Sequence, residues 1–193
     1  MKIIGITGTS GAGKTTICTI LEEKYDANII DADKVAKKLT KKGTMYLNSI
    51  IEYFGIDILD NAGELKRKEL ASIIYDDDEK RNVLNSITFT YVVKEIKENI
   101  NNLKNKELVV IDAPLLYESN LDKICDIVIG VIAKEEEKIN RICKRDNISE
   151  EIAKKRLNIQ LNDNYIKNKS DYIITNNGNM QELEKEIEKI KLK

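Results

Sequence analysis

The sequence contains no histidine and no tryptophan, and its single proline is Pro114. Without histidine there is no imidazole to ligate a metal, and any general base must be a carboxylate or another group. The three cysteines, Cys18, Cys125 and Cys143, are scattered and lack the C-x-x-C spacing. This pattern disfavours a disulfide framework and a zinc site, and it is typical of reduced, partly buried thiols.

The charge and hydropathy of the sequence indicate which kinds of binding partner are disfavoured. Lys and Arg number 32 and Asp and Glu number 33, so the formal charge of −1 gives no net field that would attract nucleic acid. No apolar stretch approaches the length of a membrane span, and the first apolar run is too short and too interrupted by glycine for a signal peptide. We therefore expect a soluble, cytoplasmic protein with neither a nucleic-acid nor a membrane partner. The sequence does not determine the oligomeric state.

Five short apolar runs, rich in β-branched residues, alternate along the chain with helical patterns. They are 3–6, 28–30, 108–111, 127–132 and 172–174. Nearly continuous apolar character, as in the third and fourth runs, is typical of parallel strands that are covered on both faces. The length of 193 residues suits one compact domain with an insertion or two. The sequence therefore predicts an α/β fold with a doubly wound, parallel, five-stranded sheet.

Two helical segments interrupt this pattern of strands. Residues 34–106 contain several amphipathic helical patterns and no convincing buried strand. Residues 134–169 are again helical, are highly charged and have only a thin apolar stripe, which is typical of a mobile lid. We expect a core formed by 1–33, 107–133 and 170–193, a helical insertion at 34–106 and a helical lid at 134–169.

A glycine-rich loop follows the first apolar run and precedes a helical pattern. Its sequence, Gly8-Thr9-Ser10-Gly11-Ala12-Gly13-Lys14-Thr15, matches the phosphate-binding signature G-x-x-x-x-G-K-[ST]. The glycines allow backbone N–H groups to point at phosphates, and the N-terminus of the helix adds partial positive charge. Lys14 is expected to reach the outer phosphates and Thr15 to ligate Mg²⁺. The sequence thus predicts a nucleoside triphosphate site.

Two carboxylates, Asp31 and Asp33, follow the second apolar run. Doubly wound sheets bind ligands at the carboxyl ends of their strands, and alternation along a strand places both side chains on one face unless the chain has already turned. One of them can then accept a hydroxyl proton, or orient that hydroxyl for in-line attack on the γ-phosphorus. The alternative is that both residues cap the helix that begins near Lys34.

Three further residues have the chemistry that phosphoryl transfer needs. Asp112 ends the third run, where an acidic residue holds Mg²⁺ in phosphate-loop enzymes, although it can equally bind backbone amides of the next turn. Arg141 and Arg145 are one helical turn apart, so that both guanidinium groups can converge on a phosphate from the lid. The alternative is that both arginines are solvated surface residues.

A series of motifs runs from one end of the chain to the other. They are Ile6-Thr7-Gly8, Ile30-Asp31-Ala32-Asp33, Phe54 to Leu59, Gly63 to Arg67 with Leu70, Asp112 to Glu118, Arg141 to Asp146, Arg156 with Gln160, and Asp171 to Gly178. Their order and separations resemble those of the dephospho-CoA kinases, which use ATP to phosphorylate the ribose 3′-hydroxyl of dephospho-CoA. No single later motif is decisive, and the resemblance depends on their combination.

The resemblance implies a phosphate-loop kinase core, a helical insertion that binds the CoA part of the acceptor, and a lid after the fourth strand. ATP and dephospho-CoA would be the substrates, with Mg²⁺ as the metal. The ATP-binding residues that it implies are Thr7, Gly8, Ser10, Gly11, Ala12, Gly13, Lys14, Thr15, Thr16 and Asn176, the last near the adenine. The catalytic residues would be Asp33, Lys14, Arg141 and Arg145. The acceptor would contact Asp33, Arg67, Leu115, Tyr117 and Glu118, and Mg²⁺ would contact Thr15 and Asp112.

Three positions depart from the pattern of that family. Thr88-Phe89 stands where the family commonly has His-Pro, Lys37 stands where Arg is usual, and Thr9 replaces a common glycine. The first two changes lie in or beside the region expected to bind the acceptor. Lysine supplies the charge at position 37 but lacks the bidentate fork of arginine.

Two other functions are compatible with a phosphate loop. A nucleoside or nucleotide kinase with the same core would differ in its acceptor. A nucleotide-dependent switch ATPase would hydrolyse ATP without an organic acceptor; a GTPase switch is disfavoured because the chain has no Asn-Lys-x-Asp segment that reads guanine. The acidic end of the second run and the paired arginines favour transfer to a hydroxyl.

Overall fold

A computed structural model describes residues 1–75 and 77–190. Residue 76, in the predicted insertion, and residues 191–193, in the predicted core, lie outside the described residues. The chain divides into two compact units, Met1–Asp31 with Asn102–Lys193, and Ala32–Asn101. We call them the sheet unit and the helical unit and describe each by itself.

The sheet unit is built on five parallel strands in the order β2-β3-β1-β4-β5. The strands are β1 (Lys2–Thr7), β2 (Asn28–Asp31), β3 (Leu108–Asp112), β4 (Ile127–Ile132) and β5 (Tyr172–Thr175). The registers pair Asp112 with Ile6 on one side and with Asp31 on the other, so three strands end at the same edge. The predicted parallel, doubly wound sheet is confirmed.

The apolar side chains of the strands are buried because helices and loops pack over the sheet. Ile4, Val110 and Ile129 are fully buried. They belong to one cluster with residues of the first and last helices of the unit, including Ile17 and Ile187. Burial of both faces explains why the strand sequences lack polar alternation.

Among the residues that the structure describes, five α-helices complete the sheet unit. They are α1 (Lys14–Tyr25), α6 (Glu135–Asp146), α7 (Glu150–Asn158), α8 (Asp163–Lys169) and α9 (Met180–Glu188). Ser149 caps α7 by accepting a hydrogen bond from the N–H of Ile152. Helices α6 and α7 share a small apolar core of Ile139, Ile142 and Ala153. This confirms the helical character and the thin apolar stripe predicted for the charged segment.

The helical unit contains α2 (Ala32–Leu39), α3 (Met45–Phe54), α4 (Arg67–Tyr75) and α5 (Asp78–Asn102). Tyr46, Ile50, Ile58 and Leu70 form its core. A turn at 60–63 is stabilised by Asp60 Oδ1, which accepts hydrogen bonds from the N–H groups of Ala62 and Glu64. Two tyrosine hydroxyls of the helical unit hydrogen-bond to the hydroxyl groups of smaller side chains, Tyr46 to Thr88 and Tyr91 to Ser49, both at 2.8 Å.

One local expectation is not met. β2 ends at Asp31 and α2 begins at Ala32, so Asp33 lies in the first turn of a helix and not on a strand. The alternation argument, which would place Asp31 and Asp33 on one face, therefore does not apply. An acidic residue in the first turn of a helix is favoured by the partial positive charge of the helix N-terminus.

Candidate active site

The glycine-rich loop connects β1 to α1, at the edge where the central strands end. Gly13 immediately precedes the helix with φ of 98°, a conformation that L side chains rarely adopt. Within the described chain, no side chain caps this helix, and its first turn contains no acidic residue. The helix dipole therefore favours an anion at this N-terminus.

The two polar side chains at the start of α1 differ in what they contact. Lys14 Nζ donates to the carbonyl of Gly8 at 2.8 Å and lies 3.5 Å from that of Thr9. The ammonium group therefore lies across the mouth of the loop. Thr15 is exposed at the same end of the helix. An ammonium group and an exposed hydroxyl at a helix N-terminus are groups that phosphates and Mg²⁺ can use.

Arg141 of α6 contacts the loop directly. Its Nη1 atom donates to the carbonyl of Gly11 at 3.2 Å and lies 3.5 Å from that of Ala12. Its Nη2 atom donates to the carbonyl of Asn176 at 3.2 Å. The guanidinium group thus bridges the loop and the end of β5, and the structure brings together two sites that are far apart in the sequence.

Asn176 is buried, and its side chain is committed to the protein. Nδ2 donates to the carbonyl of Ala12 at 3.0 Å, and Oδ1 accepts from the N–H of Gly178 at 3.2 Å. A Cβ atom on Gly13 would collide with this side chain. The side chain of Asn176 therefore supports the loop and the turn that follows β5.

Arg145 reaches the loop at a different point from Arg141. Its Nη2 atom donates to Ser10 Oγ at 3.3 Å. Both arginines nevertheless line a cleft of about 140 Å³ together with Gly11, Gly13, Lys14 and Thr15. The two guanidinium groups therefore lie beside the same loop, as the prediction that both contact one phosphate requires.

Asp146 connects helices α6 and α7. It accepts hydrogen bonds from Arg145 Nε at 2.7 Å and from Arg156 of α7. The bonded Arg145, aided by Arg156, holds the pKa of the Asp146 carboxyl at about 2, below its ordinary value of 3.8. Sequence reasoning assigned no role to Asp146.

A second cleft, of about 230 Å³, opens beside the loop. Its lining comprises Gly13, Thr16, Arg141, Asn176, Gly178, Met180 and Leu183. The walls combine backbone, one guanidinium group and apolar side chains. Apolar walls with few polar groups suit a flat heterocycle, which identifies this cleft as a candidate base site.

The carboxyl edge of the sheet carries two acidic residues in register, Asp31 and Asp112. Both raise the pKa of the buried Cys18 thiol on α1, although burial itself is the main cause; Asp112 also hydrogen-bonds this thiol. Lys14 acts on the same thiol in the opposite direction.

The segment after β3 crosses the sheet unit towards β4, and its polar groups are largely occupied. Thr7, on β1, is buried and donates to the carbonyl of Pro114 at 3.3 Å. The hydroxyl of Tyr117 pairs with Ser170 at 2.8 Å, and Leu115 is half-buried. Glu118 Oε2 is buried without a hydrogen-bond partner among the described residues, and burial raises the pKa of this carboxyl.

The helical unit holds the remaining predicted site residues. Asp33 is exposed in the first turn of α2. Arg67, at the start of α4, donates to the hydroxyl of Thr40 and approaches the carbonyl of Lys37 at 3.5 Å. Its guanidinium group is therefore held at the end of α2, in the same unit as Asp33.

The chain is similar to known proteins over most of its length. The family model described as CoaE, dephospho-CoA kinase, matches residues 2–182. The chain belongs to the dephospho-CoA kinase family. It is therefore a phosphotransferase of the last step of coenzyme A biosynthesis, and its kinase chemistry implies the use of ATP.

Individual relatives agree with this membership. A dephospho-CoA kinase of Fusobacterium nucleatum is 38% identical over 192 residues, which cover 98% of this chain and 96% of the relative. One of rice, Oryza sativa, is 35% identical over 98% of this chain and 83% of its own length. The solved dephospho-CoA kinase of Campylobacter jejuni superposes with a TM-score of 0.67 at 27% identity, over 96% of this chain and 94% of that one. The phosphate-loop kinase fold is confirmed.

Two residues of this family member were not assigned a role from the sequence although they touch the loop or its supports. Gln160 accepts a hydrogen bond from the N–H of Ser10 at 2.8 Å. Lys138 is buried, and its Nζ atom lies 3.0 Å from both carboxylate oxygens of Asp163. The resemblance marked Gln160, but a partner 150 residues away leaves no local pattern.

Among the described helices, none combines the length and apolar character that a membrane crossing requires.

The contact between Gly13 and Asn176 predicts a specific sensitivity. Gly13→Ala places a Cβ against the Asn176 side chain and imposes a left-handed φ on alanine, so the loop must shift. We expect ADP affinity, measured by isothermal titration calorimetry, to fall by at least about tenfold. Gly55→Ala is the matched control, because φ is 84° there but no described atom lies within 4 Å of the added Cβ. Equal ADP affinity in the two variants would contradict the role of this contact.

The Arg145–Asp146–Arg156 network predicts an unusual titration. Because its folded pKa is depressed to about 2, Asp146 stabilises the fold above the ordinary pKa of 3.8, and this contribution is lost as the pH falls from there through 2. Carboxyl ¹³C NMR should place the midpoint for Asp146 near 2, and Arg145→Ala should move it towards 3.8. A wild-type midpoint at the ordinary value would show that the network does not form in solution.

Proposed function

We propose that the loop from Gly8 to Thr15 binds the phosphates of ATP for transfer of the γ-phosphoryl group to the ribose 3′-hydroxyl of dephospho-CoA. One observation carries this proposal: the cleft that joins the loop glycines and Lys14 to the guanidinium groups of Arg141 and Arg145. Four kinds of donor converge there, namely backbone N–H groups, a helix N-terminus, an ammonium group and two guanidinium groups. They stabilise negative charge where it develops during transfer.

The base site would be the second cleft, beside Gly13 and Asn176. Asn176 would define this site from behind, through its bonds to Ala12 and Gly178, and not by reading the adenine with its side-chain amide. Thr16 lines the same cleft at the start of α1. In this arrangement the base and the phosphates lie on either side of Gly13, which both clefts share.

The residues present suit Mg²⁺. Thr15 offers a hydroxyl oxygen at the phosphate end of α1, and Asp112 offers a carboxylate at the adjoining strand end. Mg²⁺ prefers oxygen ligands and is usually held by one or two protein groups together with substrate phosphates and water. When bound, the ion would neutralise charge on the phosphates of ATP. We propose Thr15 and Asp112 as the residues that hold it.

Asp33 is proposed as the group that receives the acceptor proton. The ribose 3′-oxygen would attack the γ-phosphorus, the bond from that phosphorus to the ADP oxygen would break, and the hydroxyl proton would pass to the Asp33 carboxylate. Its exposed position in the first turn of α2, two residues beyond the end of β2, leaves the carboxylate accessible to a substrate. In a chain without histidine, a carboxylate is the natural base.

The helical unit, with Arg67, and the segment from Leu115 to Glu118 are proposed to bind the acceptor. Arg67 is held against the end of α2 and offers a fixed positive charge for an anionic group. Lys37 adds a second, single-point charge. The segment 134–169 is proposed to act as a lid that excludes water during transfer.

The base role of Asp33 is tested by Asp33→Asn, which preserves size and removes the proton acceptor. We expect turnover to fall by roughly 100-fold or more, while ATP affinity stays within a few-fold. Asp26→Asn is the control, because Asp26 is exposed in a left-handed conformation that asparagine tolerates. Near-normal turnover of Asp33→Asn in a coupled ADP-release assay would remove Asp33 from this role.

The choice of acceptor is tested by incubating the purified protein with Mg²⁺ and ATP and a panel of hydroxyl acceptors, scored by product mass. Dephospho-CoA should gain one phosphate, well above nucleosides and above hydrolysis of ATP without acceptor. Preferred phosphorylation of a nucleoside would indicate another kinase specificity. Hydrolysis without transfer to any acceptor would indicate a switch ATPase.

A further inference from the structure

We propose that Gln160 is a positioning residue, which holds the phosphate loop in its nucleotide-binding shape through the backbone N–H of Ser10. The hydrogen bond from this N–H to Gln160 Oε1 is 2.8 Å long and joins residues 150 positions apart. Gln160 touches no atom of the proposed reaction. Its role depends on the proposal that this loop binds the phosphates of ATP, and it adds how the loop is kept ready for them.

The conformation of the loop creates a need for such a partner. A loop that curls its N–H groups inwards around a phosphate turns other peptide groups outwards, and each of these requires a hydrogen-bond partner. The outward carbonyls of Gly11 and Ala12 are bonded to Arg141, and that of Ala12 also to Asn176. The N–H of Ser10 is the corresponding donor, and Gln160 supplies the acceptor.

The backbone of Gln160 is fixed by the lid. Its N–H donates to the carbonyl of Leu157 at 3.1 Å, which closes a turn at the end of α7. Leu157 in turn packs against the small core shared by α6 and α7. The side-chain amide of Gln160 is thus presented by packed structure and not by a freely moving loop.

The lid meets the loop at Ser10 twice. Arg145 of α6 donates to Ser10 Oγ, and Gln160, just beyond α7, accepts from Ser10 N–H. Asp146 bonds both Arg145 and Arg156, so the two lid helices that carry these contacts are tied to each other. A change in the lid is therefore transmitted to the main chain of the phosphate loop through the N–H of Ser10, in addition to the carbonyl of Gly11 that Arg141 contacts.

The amide of glutamine suits this position chemically. It offers a neutral oxygen, whereas glutamate would offer the same oxygen with a negative charge beside bound phosphates, and methionine would offer similar size without a strong acceptor. These two substitutions separate the hydrogen bond from the charge and from the volume of the side chain.

Gln160→Met should therefore remove the hydrogen bond to the N–H of Ser10 and make the phosphate loop less ordered, while the methionine side chain still fills the volume of the glutamine. In the nucleotide-free protein, NMR hydrogen exchange should show the protection of the Ser10 amide falling about tenfold or more. ADP affinity, measured by isothermal titration calorimetry, should fall about tenfold, because only the fraction of molecules with an ordered loop binds. Gln181→Met on the exposed face of α9 is the matched control and should change neither quantity.

Gln160→Glu provides the second test and retains the acceptor. We expect the protection of Ser10 to stay within about threefold of the wild type, while ADP affinity falls because of the added charge. Equal loss of Ser10 protection in the Glu and Met variants, or unchanged ADP affinity in Gln160→Met, would overturn the proposal. Failure of the wild-type protein to bind ADP would instead contradict the nucleotide site itself, whereas normal wild-type binding with an insensitive Gln160→Met variant contradicts only the role of Gln160.

Discussion

The proposed nucleotide site depends on one loop, whose backbone N–H groups must face an anion. In other conformations of the chain, these groups would hydrogen-bond elsewhere in the protein. Gly13 adopts a conformation that only glycine takes readily, and the loop is fixed from outside by Arg141, Asn176 and Gln160. These three residues lie more than 125 positions along the chain from their partners. The loop is thus a local motif with a tertiary support.

The sheet determines which residues can serve that loop. Because its strands are parallel, their carboxyl ends meet at one edge, and the register places Asp31, Asp112 and the end of β1 side by side. The lid helices follow β4, and the loop that carries Asn176 follows β5, so both also start from this edge. Connections that leave the same edge of a sheet bring groups from distant segments together around one ligand.

Local patterns in the sequence were enough to predict the phosphate loop, the five strands and the helical character of residues 134–169, because glycine spacing, apolar runs and helical periodicity are each encoded within a few residues. The start of α2 was harder to predict from the sequence. Asp33 follows Asp31 with the spacing of a strand, but the chain has already entered the helix at Ala32. The support of the loop by Asn176 and Gln160 could not be derived, since nothing near either residue specifies a partner at Ala12 or Ser10. Resemblance marked both positions but not what their amides bind.

We infer that the phosphate loop is shaped before the nucleotide arrives. Crystal structures of the wild-type protein without ligand and with Mg²⁺ and a non-hydrolysable ATP analogue test it most directly. We expect the backbone of Gly8 to Lys14 to superpose within about 1 Å in the two states and the Ser10 to Gln160 hydrogen bond to be present in both. A loop that is rearranged in the unliganded crystal, with Ser10 N–H away from Gln160, would contradict it.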